Sequence, residues 1–377
     1  MKLRLLSALL GCAAVSALLA QSPATAPATN APPVRRPQTP PVRSPEIGAE
    51  RRVTFRLRAA KATEVVLNGQ WPDGRANLVK GTDDVWSATV GPIGPGVWEY
   101  SFAVDGLGMI DPGNPAIKPM REPRTSILHL PGQPPLLTDF QDVPHGVVRT
   151  HTYRSKSLGR LRELAVYTPP GYDPHPDIKF LTLYLQHGSG DNQATWVAHG
   201  KAHWILDNLI ARGRAKPMVV VMMDGHAAVP GGVPGDNTEL FGRDLLEDVL
   251  PFVEANYHVR SDAAGRAIAG LSMGGGQSLT LGLDHADTFA WVGGFSSAPP
   301  SKETVARALS DAEAMNQKLK LLWIGVGKDD FLLQRNEEFI ASLKEKGVRH
   351  EWHLTEGNHS WPVWRTYLAE FVPKLFQ

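Results

Sequence analysis

The sequence predicts an α/β protein, a mostly parallel sheet with helices on both faces, preceded by a small β-sandwich. Two observations carry this reading. From about residue 144 onward, apolar β-rich runs such as "FLTLYLQHG" and "PMVVVMMDG" alternate with amphipathic stretches such as "RDLLEDVLPFVEANY". Strands covered on both faces read as continuous apolar runs, and their alternation with helices calls for parallel crossovers. Before that point the chain reads instead as short alternating strands, "VTFRLRA", "EVVLNG", "VWSATVG" and "VWEYSFAVDG", punctuated by Gly, Pro and Asp. That is the pattern of a small sandwich. The size and composition agree: 377 residues, 42% hydrophobic and 20% charged, provide for about two domains with a sizeable core.

Taken in chain order, residues 1–20 read as a secretory signal. Lys2 and Arg4 start it, and Leu5 to Leu19 form an apolar run too short for a membrane span. Cleavage is expected after Ala20. Leu9-Leu10-Gly11-Cys12 offers a second processing route, a lipoprotein box with lipid on Cys12. Cys12 is the only cysteine, so cleavage after Ala20 leaves no disulfide and no thiol chemistry. Residues 21–47 are rich in Pro, Ala and Thr and read as a linker. The sandwich is expected over residues 48–133. Its Trp71, Trp86, Trp98 and Tyr100 are better explained as core than as a sugar-stacking surface. The α/β part occupies 134–377. A formal net charge of +1 gives no reason to expect a nucleic-acid or membrane partner.

The chemistry is concentrated in "RAIAGLSMGGGQSLTL". A strand ending at Ala269 meets Gly-Leu-Ser-Met-Gly and leaves as a helix. This is the order of a nucleophile elbow, with Ser272 on a strained turn and Gly270 and Gly274 small because side chains there would collide. A chain with 36 glycines meets G-x-S-x-G by chance often enough that the motif alone is weak. The flanking strand and helix strengthen it. A serine nucleophile needs a base and a group that orients the base, following it as acid and then histidine. "LLWIGVGKDDFL" ends a strand at Asp329-Asp330, and "HEWHLTEGNHSW" ends the next in a loop carrying His359. Asp330 is favoured over Asp329 as the orienting acid. His350 and His353 fall within a strand pattern and are weaker candidates. The bland alternatives are a loop histidine and a helix N-cap. Oxyanion donors are expected from the backbone of Met273 and of Ser189, in the glycine loop after "YLQHG". No His, Cys or Glu spacing suggests a metal, and no cofactor is implied: "MGGGQS" lacks the lysine of a phosphate loop.

The segments "LYLQHGSGDNQATW", "VVVMMDGHA", "AIAGLSMGGGQSLTLGL", "LLWIGVGKDDFLL" and "EGNHSWPVWRTYLAEFVPKLF" together resemble the esterase-D-like α/β hydrolases. The likeness is greatest to carbohydrate esterase family 1, which holds feruloyl and acetylxylan esterases. The preceding sandwich resembles the early-set immunoglobulin-like modules of carbohydrate-binding-module family 48. The resemblance implies an α/β-hydrolase catalytic domain with nucleophile Ser272, acid Asp330 and histidine His359, and with Ser189 and Met273 at the oxyanion positions. One departure is Gln186, where members more often carry Leu; it bears on the pocket wall. The implied function is an exported, periplasmic or extracellular serine carboxylesterase acting on feruloyl esters of arabinoxylan. Acetylxylan esterase is the alternative, and a siderophore trilactone esterase a further one. The implied partner is feruloylated or acetylated xylan. A flat phenolic acyl group needs an aromatic slot, and Trp196, Phe241 and Trp361 are the expected substrate contacts.

Overall fold

The computed structural model describes residues 40–172, 177, 179–233 and 235–377. The expected signal segment, Cys12 and most of the expected linker lie outside the described residues. Residues 42–377 form one compact unit.

Its first part is two antiparallel sheets packed face to face. One runs Glu46–Ile47, Val53–Arg58, Val85–Val90, Val79–Lys80. The other runs Arg75–Asn77, Val65–Gly69, Gly96–Val104, Leu107–Met109, with Ser126–Leu130 also on Gly96–Val104. Alternation along each strand sends Val53, Phe55 and Leu57 inward from one sheet, and Val65, Leu67, Tyr100 and Phe102 from the other, into a shared core. Trp71 stacks on Phe55 at 5.7 Å between ring centroids. Trp71, Trp86 and Tyr100 are buried there, while Trp98 is half-buried and ties its indole N–H to the Gly94 carbonyl at 2.8 Å. One boundary shifts. Glu46–Ile47 is an edge strand of this sandwich, and Ser44 is buried with its hydroxyl on Asp111 at 2.5 Å, so the linker stops short of residue 44.

The second part is built on an eight-stranded sheet: β1 (Val147–Ser155), β2 (Arg160–Thr168), β3 (Leu181–Gln186), β4 (Met218–Met223), β5 (Arg266–Leu271), β6 (Trp291–Phe295), β7 (Leu321–Gly327) and β8 (Glu351–Thr355). Their spatial order is β1-β2-β4-β3-β5-β6-β7-β8. β1 and β2 are antiparallel, β2 meets β4 antiparallel, and every later pairing is parallel. The run "MVVVMM" of β4 explains why the sheet is central. Val219, Val221 and Met223 enter one core, and Met218, Val220 and Met222 enter the core on the opposite face. Each such side chain contributes roughly 1.5–3 kcal/mol by leaving water. Four helices matter below: α1 (Ala202–Ala211), α2 (Ser272–Asp284), α3 (Leu333–Lys346) and α4 (Trp361–Phe371). Among the described residues no helix is long and apolar enough to cross a membrane.

The two parts meet in a polar, water-poor seam. Lys118 of the sandwich pairs with Glu99 at 3.1 Å and with Asp191 of the α/β part at 3.1 Å. His199 places Nε2 3.2 Å from Glu99, and Arg365 of α4 reaches the His199 carbonyl at 3.0 Å. The connecting segment is bonded rather than loose. Asp139 accepts the N–H groups of Gly132 and Leu136, and Asn208 of α1 donates to the carbonyls of Leu137 and Asp139.

The fold has an acid-labile component, of which His199 lies at the seam. Burial, with Arg365 nearby, lowers His199 to about 3; burial lowers His203 and His226 to about 4 each. In the unfolded chain these imidazoles take up protons near pH 6.5, whereas in the folded chain they do so only near 3–4. Protonation therefore favours unfolding. Their stabilisation is complete above about pH 6.5 and is lost progressively as pH falls toward 4. The melting temperature should fall steadily between pH 7 and pH 4, and His199→Gln should flatten that slope. A melting temperature that rises on acidification would contradict this account.

Candidate active site

Ser272 is the first residue of α2, immediately after β5. Its φ is +52°, a conformation that non-glycine residues avoid. The neighbouring backbone approaches closely on both sides of the serine. A Cβ on Gly274 would lie 2.3 Å from the His187 carbonyl oxygen, and one on Gly270 would lie 2.6 Å from the Gly274 carbonyl oxygen. Glycine is therefore required at both positions, and the first turn of α2 seats directly on the end of β3.

The serine faces a hydrogen-bonded pair. His359, in the loop between β8 and α4, places Nε2 2.9 Å from Ser272 Oγ. Its Nδ1 lies 2.9 and 3.0 Å from the two oxygens of Asp330, just past β7. A carboxylate only accepts, so Nδ1 carries the proton and the Nε2 lone pair is directed at the serine hydroxyl. Burial alone would raise the Asp330 carboxyl. Hydrogen bonds from His359 and from the Leu332 N–H (2.9 Å) outweigh it and hold the group below its ordinary value. Asp329 is exposed and donates its N–H to the Gly357 carbonyl at 3.0 Å. His350 bonds the Val348 carbonyl, and His353 stacks on Trp323 beside Glu351.

The loop after β3 passes beside the serine. A Cβ on Gly188 would fall 2.6 Å from Leu271 Cδ1 and 3.3 Å from Ser272 Cβ. This loop is braced from within the α/β part. His187 donates Nδ1–H to the Gly188 carbonyl at 2.7 Å and accepts the Gly225 N–H at 2.8 Å, while Gly190 donates to His226 Nε2 at 3.1 Å. Burial, then His187, keeps His226 neutral down to about pH 4, so its acceptor role persists. Ser189 lies between these braces, and among the described residues its N–H meets no acceptor. Met273 is in the first turn of α2, where the helix offers its N–H none.

Ser272 lines a cavity of about 1050 Å³ with Ser189, Met273 and Phe331. Arg243, Glu247, Asp284 and Arg335 give its wall charges of both signs. The three aromatics expected to touch substrate are not part of it. Trp196 is 1% exposed, Trp361 2% and Phe241 0%. Trp196 and Trp361 pack edge to face at 4.9 Å, and the Trp196 indole bonds the Gln186 carbonyl at 2.9 Å. Phe241 belongs to the core on one face of the sheet, and it is the next residue, Gly242, that reaches the cavity. Gln186 is likewise fully buried and forms no part of the cavity wall. The aromatic that does line it is Phe331, 73% exposed, with its ring 4.4 Å from that of His359. Its position directly after Asp330 was the available signal. Among the described residues no cluster of His, Cys, Asp and Glu is arranged to hold a metal ion.

The sequence and the fold resemble those of known proteins. Residues 155–375 match a family model described as "Putative esterase". An endo-1,4-β-xylanase/feruloyl esterase of Xylanibacter ruminicola is 30% identical over 345 residues, covering 88% of this chain. The chain spans only 46% of that relative's length. A solved ferulic acid esterase is similar at 28% identity and a TM-score of 0.55, over 62% of this chain and 98% of that one. The enterobactin esterase of Shigella flexneri shares the fold at 18% identity and a TM-score of 0.59, over 86% of this chain and 93% of its own. With more than half of its length matched by the family model, the chain belongs to this esterase family.

Proposed function

We propose that the protein hydrolyses feruloyl esters carried by arabinoxylan, through a Ser272–His359–Asp330 relay and an acyl-enzyme intermediate. The observation that carries the relay is the 2.9 Å contact between Ser272 Oγ and His359 Nε2, backed by Asp330 on the opposite nitrogen. Ser272 Oγ attacks the ester carbonyl carbon as its proton passes to His359 Nε2. The carbonyl π electrons move onto oxygen, where the N–H groups of Met273 and Ser189 receive the negative charge. Collapse of this intermediate expels the sugar alkoxide, which takes the proton from His359. Water then repeats the sequence on the acyl-serine with His359 as base, releasing the acid. Asp330 holds the tautomer and stabilises the imidazolium.

Two observations support the feruloyl acyl group. One is the likeness to a relative and a solved structure, both described as feruloyl or ferulic acid esterases. The other is Phe331, a flat apolar surface beside the base and open to the cavity. An acetyl group needs no such surface. The leader pattern of residues 1–20 supports export, which suits a polymeric substrate outside the cell.

Ser272→Ala should lower turnover about 10³-fold or more with the fold intact, and should abolish labelling by a fluorophosphonate that marks the wild type. Equal labelling of both proteins would remove Ser272 from its role. Asp330→Asn should cost about 10³- to 10⁴-fold in kcat, and Asp329→Ala much less.

Methyl ferulate and acetylated xylan assayed side by side should show the feruloyl preference. Phe331→Ala should reduce kcat/KM on methyl ferulate by about tenfold, the scale of one good aromatic contact, while p-nitrophenyl acetate changes little. Acetate release more than tenfold faster in kcat/KM would replace the feruloyl reading with the acetyl one.

A further inference from the structure

The loop carrying Ser189 is held not only by its own sheet. Residues 118–121 of the sandwich, which approach its last strand, lie along it as a partial extra strand. Met120 pairs with Asp191 in an antiparallel bridge, and Arg121 donates its N–H to the Gly190 carbonyl at 2.9 Å. The Thr195 hydroxyl donates to the Pro119 carbonyl at 2.6 Å and accepts the Asn192 N–H at 3.1 Å. Lys118 is anchored to the sandwich by its N–H on the Thr125 carbonyl and by Glu99, and it projects its ammonium to Asp191. Lys118 and Asp191 are both buried. The same ammonium lies 5.6 Å over the ring of Trp361, two residues beyond His359. One sandwich side chain thus touches both the loop of Ser189 and the segment that follows the base.

A backbone donor has no rotamer to adjust. Its aim is fixed only by the path of its loop, and an oxyanion donor must be held within about 0.5 Å of the productive position. A loop with Gly188 and Gly190 on either side of Ser189 does not supply that rigidity by itself. Burial pushes the Asp191 carboxyl up from its ordinary value, and the Lys118 ammonium is the main influence opposing it. Without Lys118 the carboxylate would be left buried and poorly compensated, one residue from the Gly190 bonds.

We propose that Lys118 is a positioning residue for ester hydrolysis, fixing through Asp191 the loop that aims the Ser189 N–H at the developing oxyanion. The sandwich is then part of the catalytic apparatus rather than an accessory that gathers glycan. This rests on the serine-esterase reading above.

The test uses the full chain carrying Lys118→Met or Asp191→Asn, with wild type and Ser272→Ala alongside. For each protein it measures kcat and KM on methyl ferulate, the rate of fluorophosphonate labelling per folded molecule, and the melting temperature. Lys118→Met should lower kcat about 10- to 30-fold, less than complete loss of one oxyanion donor. KM should stay within about threefold, and the labelling rate should fall in parallel with kcat. Asp191→Asn keeps the side-chain volume and leaves Lys118 paired with Glu99, so it reads the same contact from the loop side if Lys118→Met fails to fold. It should lower kcat at least fivefold. The proposal is overturned if the folded variants keep kcat within twofold of wild type. It is equally overturned if the loss lies in KM alone, or follows the fraction unfolded while labelling per folded molecule is unchanged. An inactive wild type, or an active Ser272→Ala, would instead overturn the esterase reading itself.

Discussion

The contact on which the site depends is the seating of α2 on the end of β3, with Gly274 against the His187 carbonyl. No side chain fits between them. At this approach Ser272 holds a positive φ, and the loop of Gly188 lies against the serine's own Cβ. Ser272, the proposed nucleophile, and the loop of Ser189 are therefore neighbours because the glycines permit it, before His359 or Asp330 is considered. The strain at Ser272 is sustained by two well-packed cores, one on each face of the sheet.

His359 and Asp330 reach this point from two later strands. Each sits just past a strand's carboxyl end, where side chains are free of the ladder but their backbone is still fixed by it. Chain order and strand endings point to Ser272, Asp330 and His359 as candidates because those signals are local, and the fold brings the three side chains into one hydrogen-bonded line. The Asp329 alternative also has a local resolution. Asp330 is turned inward, where it accepts the Leu332 N–H, and Asp329 faces water.

What the sequence did not disclose was direction. Trp196, Phe241 and Trp361 lie close along the chain to active-site loops, yet each turns into a core. Aromatic composition near a loop does not say which face of the following turn a ring will take. Phe241 and Gly242 are adjacent and face opposite ways. Phe331 is the exposed aromatic that reaches the cavity, and no periodicity in its neighbourhood marks which way its ring turns. The seam was illegible for a different reason. Glu99, Lys118, Asp191, His199 and Arg365 are scattered over more than 260 positions, and no periodicity marks charges that meet only after folding. The first residues of the sandwich are hard to read from sequence because Ser44 and Glu46 sit in a proline-rich stretch, and only pairing with Asp111 and with Val53–Arg58 orders them.

The bonded seam also determines how the molecule comes apart. Domains joined by a slack linker melt independently, each with its own transition. Here loosening the sandwich would break the Lys118–Asp191 and Glu99–His199 contacts together and would expose the face that covers Trp361. Neither part can open cheaply while the other remains closed. The chain from Val42 to Gln377 is thus expected to absorb heat in one cooperative transition, and a proteolytic nick between the parts would be felt as lost activity before it appeared as lost mass.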